Sequence, residues 1–360
     1  MAQEPRIDEL RLAIDAVDDE LLIVLNRRAA LTQEVGEVKR SAGASEFYRP
    51  DREARILRRL CAANPGPLPD VDLVRIMREL ISSCLALERA LKIAYLGPAG
   101  TYTEAALHKQ FGGAVEGVPC AGISEVFRAV ETGHCDYGVV PIENSIGGSV
   151  GQTLDCLSET SLCVCGEVLL PIHHQLLSRQ SELAAVTRVY AHEQALAQCR
   201  GWLDRHLPLV ERVALASNAL AAQRAEQEGD VAAIASSEAG RRYGLTTLVA
   251  NIEDYAHNTT RFIVLGRSIP DASGDDVTSI VFGLPNRPGA LHAILSVLAA
   301  RGLSMSRIES RPARGARWDY LFFVDVVGHA RDTEVAPALA EIESRAISYK
   351  LLGSCPRAQA

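Results

Sequence analysis

From Arg6 to Val35 the chain contains neither Gly nor Pro, and Leu10, Ile14, Val17, Leu21, Val24 and Leu25 recur there at three- and four-residue steps. That spacing lays an apolar stripe along one helix face. It predicts a single helix from Pro5 to about Arg40. Roughly 35 residues rising 1.5 Å each span on the order of 50 Å. A one-chain globule does not bury a helix of that length, so the stripe calls for a bundle or for a helix shared with a second subunit. A polar break at 41–50 precedes a second helix at 51–63, which Asn64-Pro65-Gly66-Pro67 ends, and a third helix at about 70–90. Residues 1–91 thus read as an all-helical unit of three helices.

The charges of that unit are patterned. Arg28 and Lys39 lie 11 residues apart, nearly three whole turns, and share a face. Arg11 is 17 residues from Arg28, about 25 Å along the axis and rotated off that face. It reaches such a pocket only from a second, antiparallel copy. Arg52 and Glu53 open the second helix, and Cys84 and Glu88 share a face of the third. Exposed Arg27 or Arg58 fits a solvated helix surface. Cations interleaved with an apolar stripe fit an anion pocket.

A chain of 360 residues exceeds one ordinary core and predicts two or three domains. Its formal charge of -8 argues against chain-wide binding of nucleic acid. The N-terminus is polar, without the apolar stretch of a signal peptide. No apolar run approaches a membrane span. Nine cysteines, an odd number scattered along the chain, predict reduced thiols and a cytoplasmic protein. Cys163 and Cys165 lie near His173 and His174, but i and i+2 in a strand is a common core pattern and no second pair accompanies them. Neither metal nor cofactor is expected.

Beyond Leu91 the pattern changes to strands alternating with helices, the mark of an α/β unit, here at 92–267. The strand at 91–96 ends in Gly97-Pro98-Ala99-Gly100-Thr101-Tyr102-Thr103 and turns into a helix, a geometry that offers backbone N–H groups to an anion. The strand at 137–142 runs into Glu143-Asn144-Ser145-Ile146-Gly147-Gly148. Polar side chains and glycines after a buried strand suit ligand binding at strand C-termini. Gln194 and Gln198 follow the strand at 188–190, and 169–177 reads as a crossing between two lobes. Asn258-Thr259-Thr260-Arg261 precedes an apolar strand from Phe262. A hydroxyl donor beside a guanidinium there suits a carboxylate and a departing hydroxyl. After a polar linker at 267–276, residues 277–354 read β-α-β-β-α-β, a ferredoxin-like order. Strands are expected at 277–284, 303–311, 317–327 and 347–353, with helices at 289–301 and 332–345.

Leu10-Arg11, Asp18, Arg28, Glu34-Val35-Gly36, Lys39 and Tyr48-Arg49-Pro50-Asp51-Arg52-Glu53 resemble the all-helical chorismate mutase domain of proteobacterial bifunctional P-proteins. The resemblance implies that Arg28, Arg52 and the partner's Arg11 hold the two carboxylates of chorismate. It places Lys39 and Glu88 at the breaking ether bond and Glu53 on the ring hydroxyl, with Arg49 and Cys84 lining the pocket. Well-known relatives carry Gln where this chain has Glu88, so Glu88 is expected to act as the protonated acid.

Residues 97–103, 140–145, 190–199 and 258–262 resemble the prephenate dehydratase domain, which implies a two-lobed unit built like a periplasmic binding protein. Thr260 would be the essential hydroxyl. Glu143 would serve as general acid or loop partner, and Thr101, Asn144, Ser145, Gln198 and Arg261 would bind prephenate. Relatives often carry Ser where this chain has Ala191. Pro288-Gly289-Ala290-Leu291 and Glu309-Ser310-Arg311-Pro312 resemble the ACT regulatory domain and imply an L-phenylalanine site at a subunit interface. Together these imply a homodimer or larger assembly that converts chorismate to prephenate, and prephenate to phenylpyruvate, under phenylalanine feedback. The alternatives are a dehydratase preferring arogenate and a non-catalytic amino-acid sensor. A mutase fused to a prephenate dehydrogenase would need a dinucleotide fingerprint, which is absent.

Overall fold

The computed structural model describes residues 4–43, 48–312 and 320–358. Helices α1 (Glu4–Ser41), α2 (Pro50–Ala62) and α3 (Asp70–Glu88) form the first unit. At 38 residues α1 is about 57 Å long. Only its C-terminal part packs on α3. There Gly36 makes room for Glu88, since a Cβ would lie 2.9 Å from Glu88 Cγ. Farther out, Leu10, Leu12, Ile14, Val17 and residues 21–24 are all more than half exposed. One chain does not cover this stripe. Pro50 sits at the start of α2, where its missing N–H costs nothing.

The middle unit runs β1 (Lys92–Leu96), α4 (Tyr102–Phe111), β2 (Glu116–Cys120), α5 (Ile123–Glu131), β3 (Tyr137–Asn144), β4 (Gly148–Ser149), α6 (Gly151–Glu159) and β5 (Cys163–Pro171). Then follow β6 (Gln175–Ser178), β7 (Arg188–His192), α7 (Glu193–Gln198), α8 (Arg200–His206), β8 (Glu211–Leu215), α9 (Asn218–Gln227), β9 (Val231–Ala235), α10 (Ser237–Arg242), β10 (Thr246–Val249) and β11 (Thr259–Gly266). Lobe one is the sheet β2-β1-β3-β11-β5, with β4 beside β3, and lobe two is β10-β6-β9-β7-β8. The chain crosses between lobes twice, at 172–174 and 250–258, and Thr260 stands where the second crossing re-enters lobe one. The third unit is β12 (Asp276–Leu284), α11 (Ala290–Ala300), β13 (Met305–Pro312), β14 (Tyr320–Val327), α12 (Val335–Arg345) and β15 (Ser348–Pro356), a sheet in the order β13-β14-β12-β15. The expected start of β14 at 317–319 lies outside the described residues.

Strand β11 begins at Thr259 rather than Phe262, because Thr260 already pairs with Asn144 of β3 and Leu170 of β5. Alternation along a strand then separates two sets of side chains. Phe262 and Val264 join the core under α4, with Ile93, Tyr95 and Val139. Ile263 and Leu265 face the third unit's sheet and pack with Val277, Val281, Phe323 and Leu352. The approach of that sheet is close: a Cβ at Gly353 would overlap the Val164 carbonyl. On the other face of lobe one, Tyr48 from the first unit is buried against Phe111 and Tyr137, at centroid distances of 5.0 and 5.5 Å. Its hydroxyl accepts a hydrogen bond from Gln110 Nε2 at 2.9 Å.

Candidate active sites

Between the lobes lies a cavity of about 490 Å³. Strand C-termini and helix N-termini form its walls, and Gly97, Gly100, Gly147 and Gly148 let backbone approach. Thr101 caps α4, accepting from Glu104 N at 3.4 Å while its hydroxyl donates to Leu96 O. Ser217 caps α9 through Leu220 N, and α6 begins at Gly151, beside the lining residue Val150. Among the described residues, no Lys, Arg, Asp or Glu lines the cavity. The N-termini of α4, α6 and α9 border it, each equivalent to roughly half a positive charge.

Across this cavity runs one hydrogen-bonded network. Asn144 Nδ2 donates to Thr260 Oγ1 at 2.9 Å and to Asn258 Oδ1 at 2.7 Å. Asn144 Oδ1 accepts from Gly147 N at 2.8 Å and Ile146 N at 3.1 Å, which fixes the amide's orientation. Asn258 Nδ2 donates to Gln198 Oε1 at 3.1 Å, and that oxygen also faces His174 Nε2 at 2.8 Å. Tyr102 O–H lies 3.1 Å from His174 Nδ1. Burial holds the His174 pKa below its ordinary value, so the ring is neutral near pH 7. The Tyr102 hydroxyl donates to His173 O at 2.7 Å, and Gln198 Oε1, an acceptor, takes the one N–H of the neutral ring at Nε2. Burial likewise pushes the Tyr102 hydroxyl well up, keeping it protonated. The consequence falls on Thr260. Its oxygen accepts from Asn144, and its own proton has no partner among the described residues.

The structure thus brings Thr101, Asn144, Gln198 and Thr260 to one cavity, and separates three other residues expected there. Arg261 was expected to meet a substrate carboxylate. Strand alternation turns it to the opposite face, where Nη2 is 2.7 Å from Asp325 and Nη1 is 3.4 Å from Glu167. Glu143, expected as an acid in the cavity, pairs with Arg307 at 3.3 Å and Arg261 at 3.5 Å on that same face. Ser145 braces the strand entrance instead of lining the cavity, donating to His257 O and accepting from Thr259 N. Ala191 is fully buried in β7. Tyr102, His174 and Asn258 were not singled out from the sequence. Tyr102 and Asn258 lie inside motifs that were read, whereas His174 was named only with His173 beside Cys163 and Cys165, in a metal reading that was set aside.

In the first unit, Lys39 Nζ is 3.7 Å from Glu88 Oε2, and Cys84 is buried one turn before Glu88. Arg28 Nη1 is buried without a hydrogen-bond partner among the described residues, as is Glu88 Oε2. Buried polar atoms left without hydrogen bonds on facing helices, beside the Lys39 ammonium, suit a polar ligand. Arg11 is exposed and meets only Asp8, at 3.3 Å, far out on α1. Arg52 is exposed on α2. Two expected pocket residues point elsewhere. Arg49 pairs with Asp51 at 3.1 Å and with Asp271 of the linker at 2.7 Å. Glu53 is held by Arg78 at 3.0 Å and opens on a separate cavity of about 380 Å³ at the junction of the three units, lined by no residue of α1. Burial raises the Glu53 pKa, with Arg78 opposing.

In the third unit Gly289 precedes α11 with φ of 80°, left-handed backbone that favours glycine, and nothing lies within 4 Å of where a Cβ would stand. Ala290 and Leu291 open the helix. Glu309, Ser310, Arg311 and Pro312 end β13, an edge strand. Arg311, expected at the effector, is committed instead to Asp155 of α6 at 3.1 Å and covers Gly151.

Three family models tile the chain: chorismate mutase type II over residues 10–89, prephenate dehydratase over 93–270 and ACT domain over 278–344. Among solved structures, the prephenate dehydratase of Arthrobacter aurescens in complex with L-Phe aligns with a TM-score of 0.69 at 38% identity, covering 74% of this chain and 90% of that one. A chain described as a quorum quenching acylase, GqqA, aligns with a TM-score of 0.68 at 31% identity over 74% of this chain and 97% of that one. One fold therefore hosts differently described proteins, and only a full-length relative with all three units decides between them. The bifunctional chorismate mutase/prephenate dehydratase of Pseudomonas aeruginosa is 47% identical over 363 residues, covering 99% of this chain and all of that one. At that identity and coverage, the chain belongs to the bifunctional chorismate mutase/prephenate dehydratase family.

Proposed function

We propose that this chain converts chorismate to prephenate in residues 1–91, converts prephenate to phenylpyruvate in residues 92–267, and is inhibited by L-phenylalanine bound through residues 277–354. The observation that carries the second step is the Asn144–Thr260 pair. Prephenate loses carbon dioxide from one ring carbon as the hydroxyl leaves the opposite carbon. The electron pair of the breaking C–C bond moves through the ring and expels the C–O pair. Asn144 occupies the Thr260 oxygen and leaves its proton to hydrogen-bond the departing hydroxyl. Helix N-termini of α4, α6 and α9 hold the dianion. A wall without carboxylates supports prephenate over arogenate, whose ammonium group would find no anionic partner there.

For the first step no nucleophile is needed. A Claisen rearrangement requires a compact dianion and positive charge where the ether oxygen gains electron density. The orphaned Arg28 Nη1 and the Lys39–Glu88 pair supply donors at one place on α1 and α3. A second copy of the chain supplies Arg11. An exposed apolar stripe on a helix of about 57 Å supports that assembly, an antiparallel pairing of α1 with its own copy. The unpaired edge of β13 supports a second contact, beside Gly289 and Glu309. The L-Phe complex of the Arthrobacter relative supports the effector's identity. Nine free cysteines support a reducing compartment, the cytoplasm.

The test is to supply chorismate to the purified chain and follow prephenate and phenylpyruvate with and without L-phenylalanine. The expected result is sequential formation of both, with the second step suppressed by the effector. Unconsumed chorismate, or prephenate that is never consumed, overturns the reading.

A further inference from the structure

Behind the Asn144–Thr260 pair, on the face turned away from the cavity, lies a cluster of charged side chains drawn from two units. Glu143 and Arg261 are the chain neighbours of Asn144 and Thr260, and they face each other across β3 and β11. The third unit contributes Arg307 from β13 and Asp325 from β14. Arg307 Nε lies 3.3 Å from Glu143, and its Nη2 donates to Ser149 Oγ at 3.3 Å. Ser149 is itself part of the cavity wall. Arg261 Nη2 lies 2.7 Å from Asp325, which also accepts from Ser279 Oγ. The Arg307 side chain is 7% exposed and that of Glu143 40%, so this contact is shielded from water on the Arg307 side and open on the Glu143 side. Alternation puts Arg307, Glu309 and Arg311 on one face of β13, and Arg311 grips Asp155 and covers Gly151 at the start of α6. One strand of the third unit therefore holds β3, β4 and α6 from behind.

We propose that Arg307 is a positioning residue for the dehydratase reaction: it fixes Glu143 and Ser149, and so the orientation of Asn144, and a displacement of β13 by the effector withdraws it. The effector half rests on the phenylalanine reading above. The positioning half does not. Two ion pairs one residue removed from the reacting hydroxyl give the third unit a direct mechanical link to Thr260, shorter than the route along the 267–275 linker.

The full chain carrying Arg307→Met is compared with wild type for dehydratase kcat and KM, mutase activity, and binding of radiolabelled L-phenylalanine by equilibrium dialysis. Expected are a kcat lowered roughly 2- to 30-fold with KM for prephenate nearly unchanged, intact mutase activity, retained L-phenylalanine binding and lost inhibition. Arg307→Lys, which keeps the charge, recovers much of kcat. Adding Glu143→Gln to Arg307→Met costs little more, because both remove one contact. Wild-type kcat and wild-type inhibition in Arg307→Met overturn the proposal. If that variant also loses mutase activity, Ser149→Ala decides: unchanged kcat and unchanged inhibition there overturn it too. Should wild type fail to bind L-phenylalanine, the effector reading falls, while the kcat comparison still judges positioning.

Discussion

Replacing Asn144 with Leu removes an amide of nearly the same shape and leaves Thr260 in place. Four hydrogen bonds between 2.7 and 3.1 Å are lost. At about 1 kcal/mol net for each, their sum is at most roughly 4 kcal/mol. Two of the four donors, the N–H groups of Ile146 and Gly147, belong to exposed residues that water re-satisfies. The stability loss is therefore nearer about 2 kcal/mol, within the 5–15 kcal/mol of an ordinary fold. Activity suffers more. Without Asn144 the Thr260 hydroxyl rotates and offers its proton to Asn258 Oδ1, the acceptor that Asn144 vacates. Loss of one preorganised donor costs about 10²- to 10³-fold in kcat. The assay is phenylpyruvate formation from saturating prephenate, with a thermal melt of the same sample. A folded Asn144→Leu protein whose kcat stays within about threefold of wild type refutes the role given to this pair.

Three further outcomes follow from the same geometry. Glu88→Gln keeps the length of the side chain that faces Lys39 and supplies an N–H donor at the ether oxygen, so mutase activity is expected to be retained in the variant. Loss of mutase activity in a folded Glu88→Gln chain refutes a donor role at this position. Arg11→Ala and Arg28→Ala each lose mutase activity, yet subunit exchange between them restores about a quarter of the wild-type rate, since half of the dimers are mixed and each carries one intact site. No recovery means that Arg11 serves its own chain or none. His174 has a folded pKa below its unfolded value of 6.5, chiefly through burial. The unfolded state therefore binds the proton first, and His174's stabilising share is present above pH 6.5 and lost as pH falls below it. Melting temperature is expected to fall between pH 7.5 and 5.5 less steeply in His174→Asn than in wild type; equal slopes refute the assignment.

What was legible in the sequence is what period and punctuation record. The uninterrupted stripe from Leu10 to Leu25 announced α1, and the structure leaves that stripe exposed. The β-α-β-β-α-β order at 277–354 was readable because apolar runs such as 280–284 and 321–327 stand between polar or Gly-rich breaks. Asn144 and Thr260 were singled out because each sits in a polar cluster beside a buried strand, and the structure brings both to one cavity. What escaped was the direction of side chains. Arg261 and Glu143 looked like site residues by adjacency, but alternation in β11 and β3 sends neighbours to opposite faces, and a strand start placed at Phe262 instead of Thr259 hides that. Glu53 and Arg49 were similarly misplaced, because partners such as Arg78 and Asp271 are set by how units pack. His174 contributes through burial, which a single histidine at a crossing does not reveal.

The central claim is that one chain carries two sites and that Thr260 belongs to the second alone. Thr260→Val keeps the shape of the side chain and removes its hydroxyl. The account predicts that this variant, given chorismate, consumes it at the wild-type rate and accumulates prephenate without phenylpyruvate. Phenylpyruvate forming at the wild-type rate, or chorismate left unconsumed by a folded Thr260→Val chain, would contradict it.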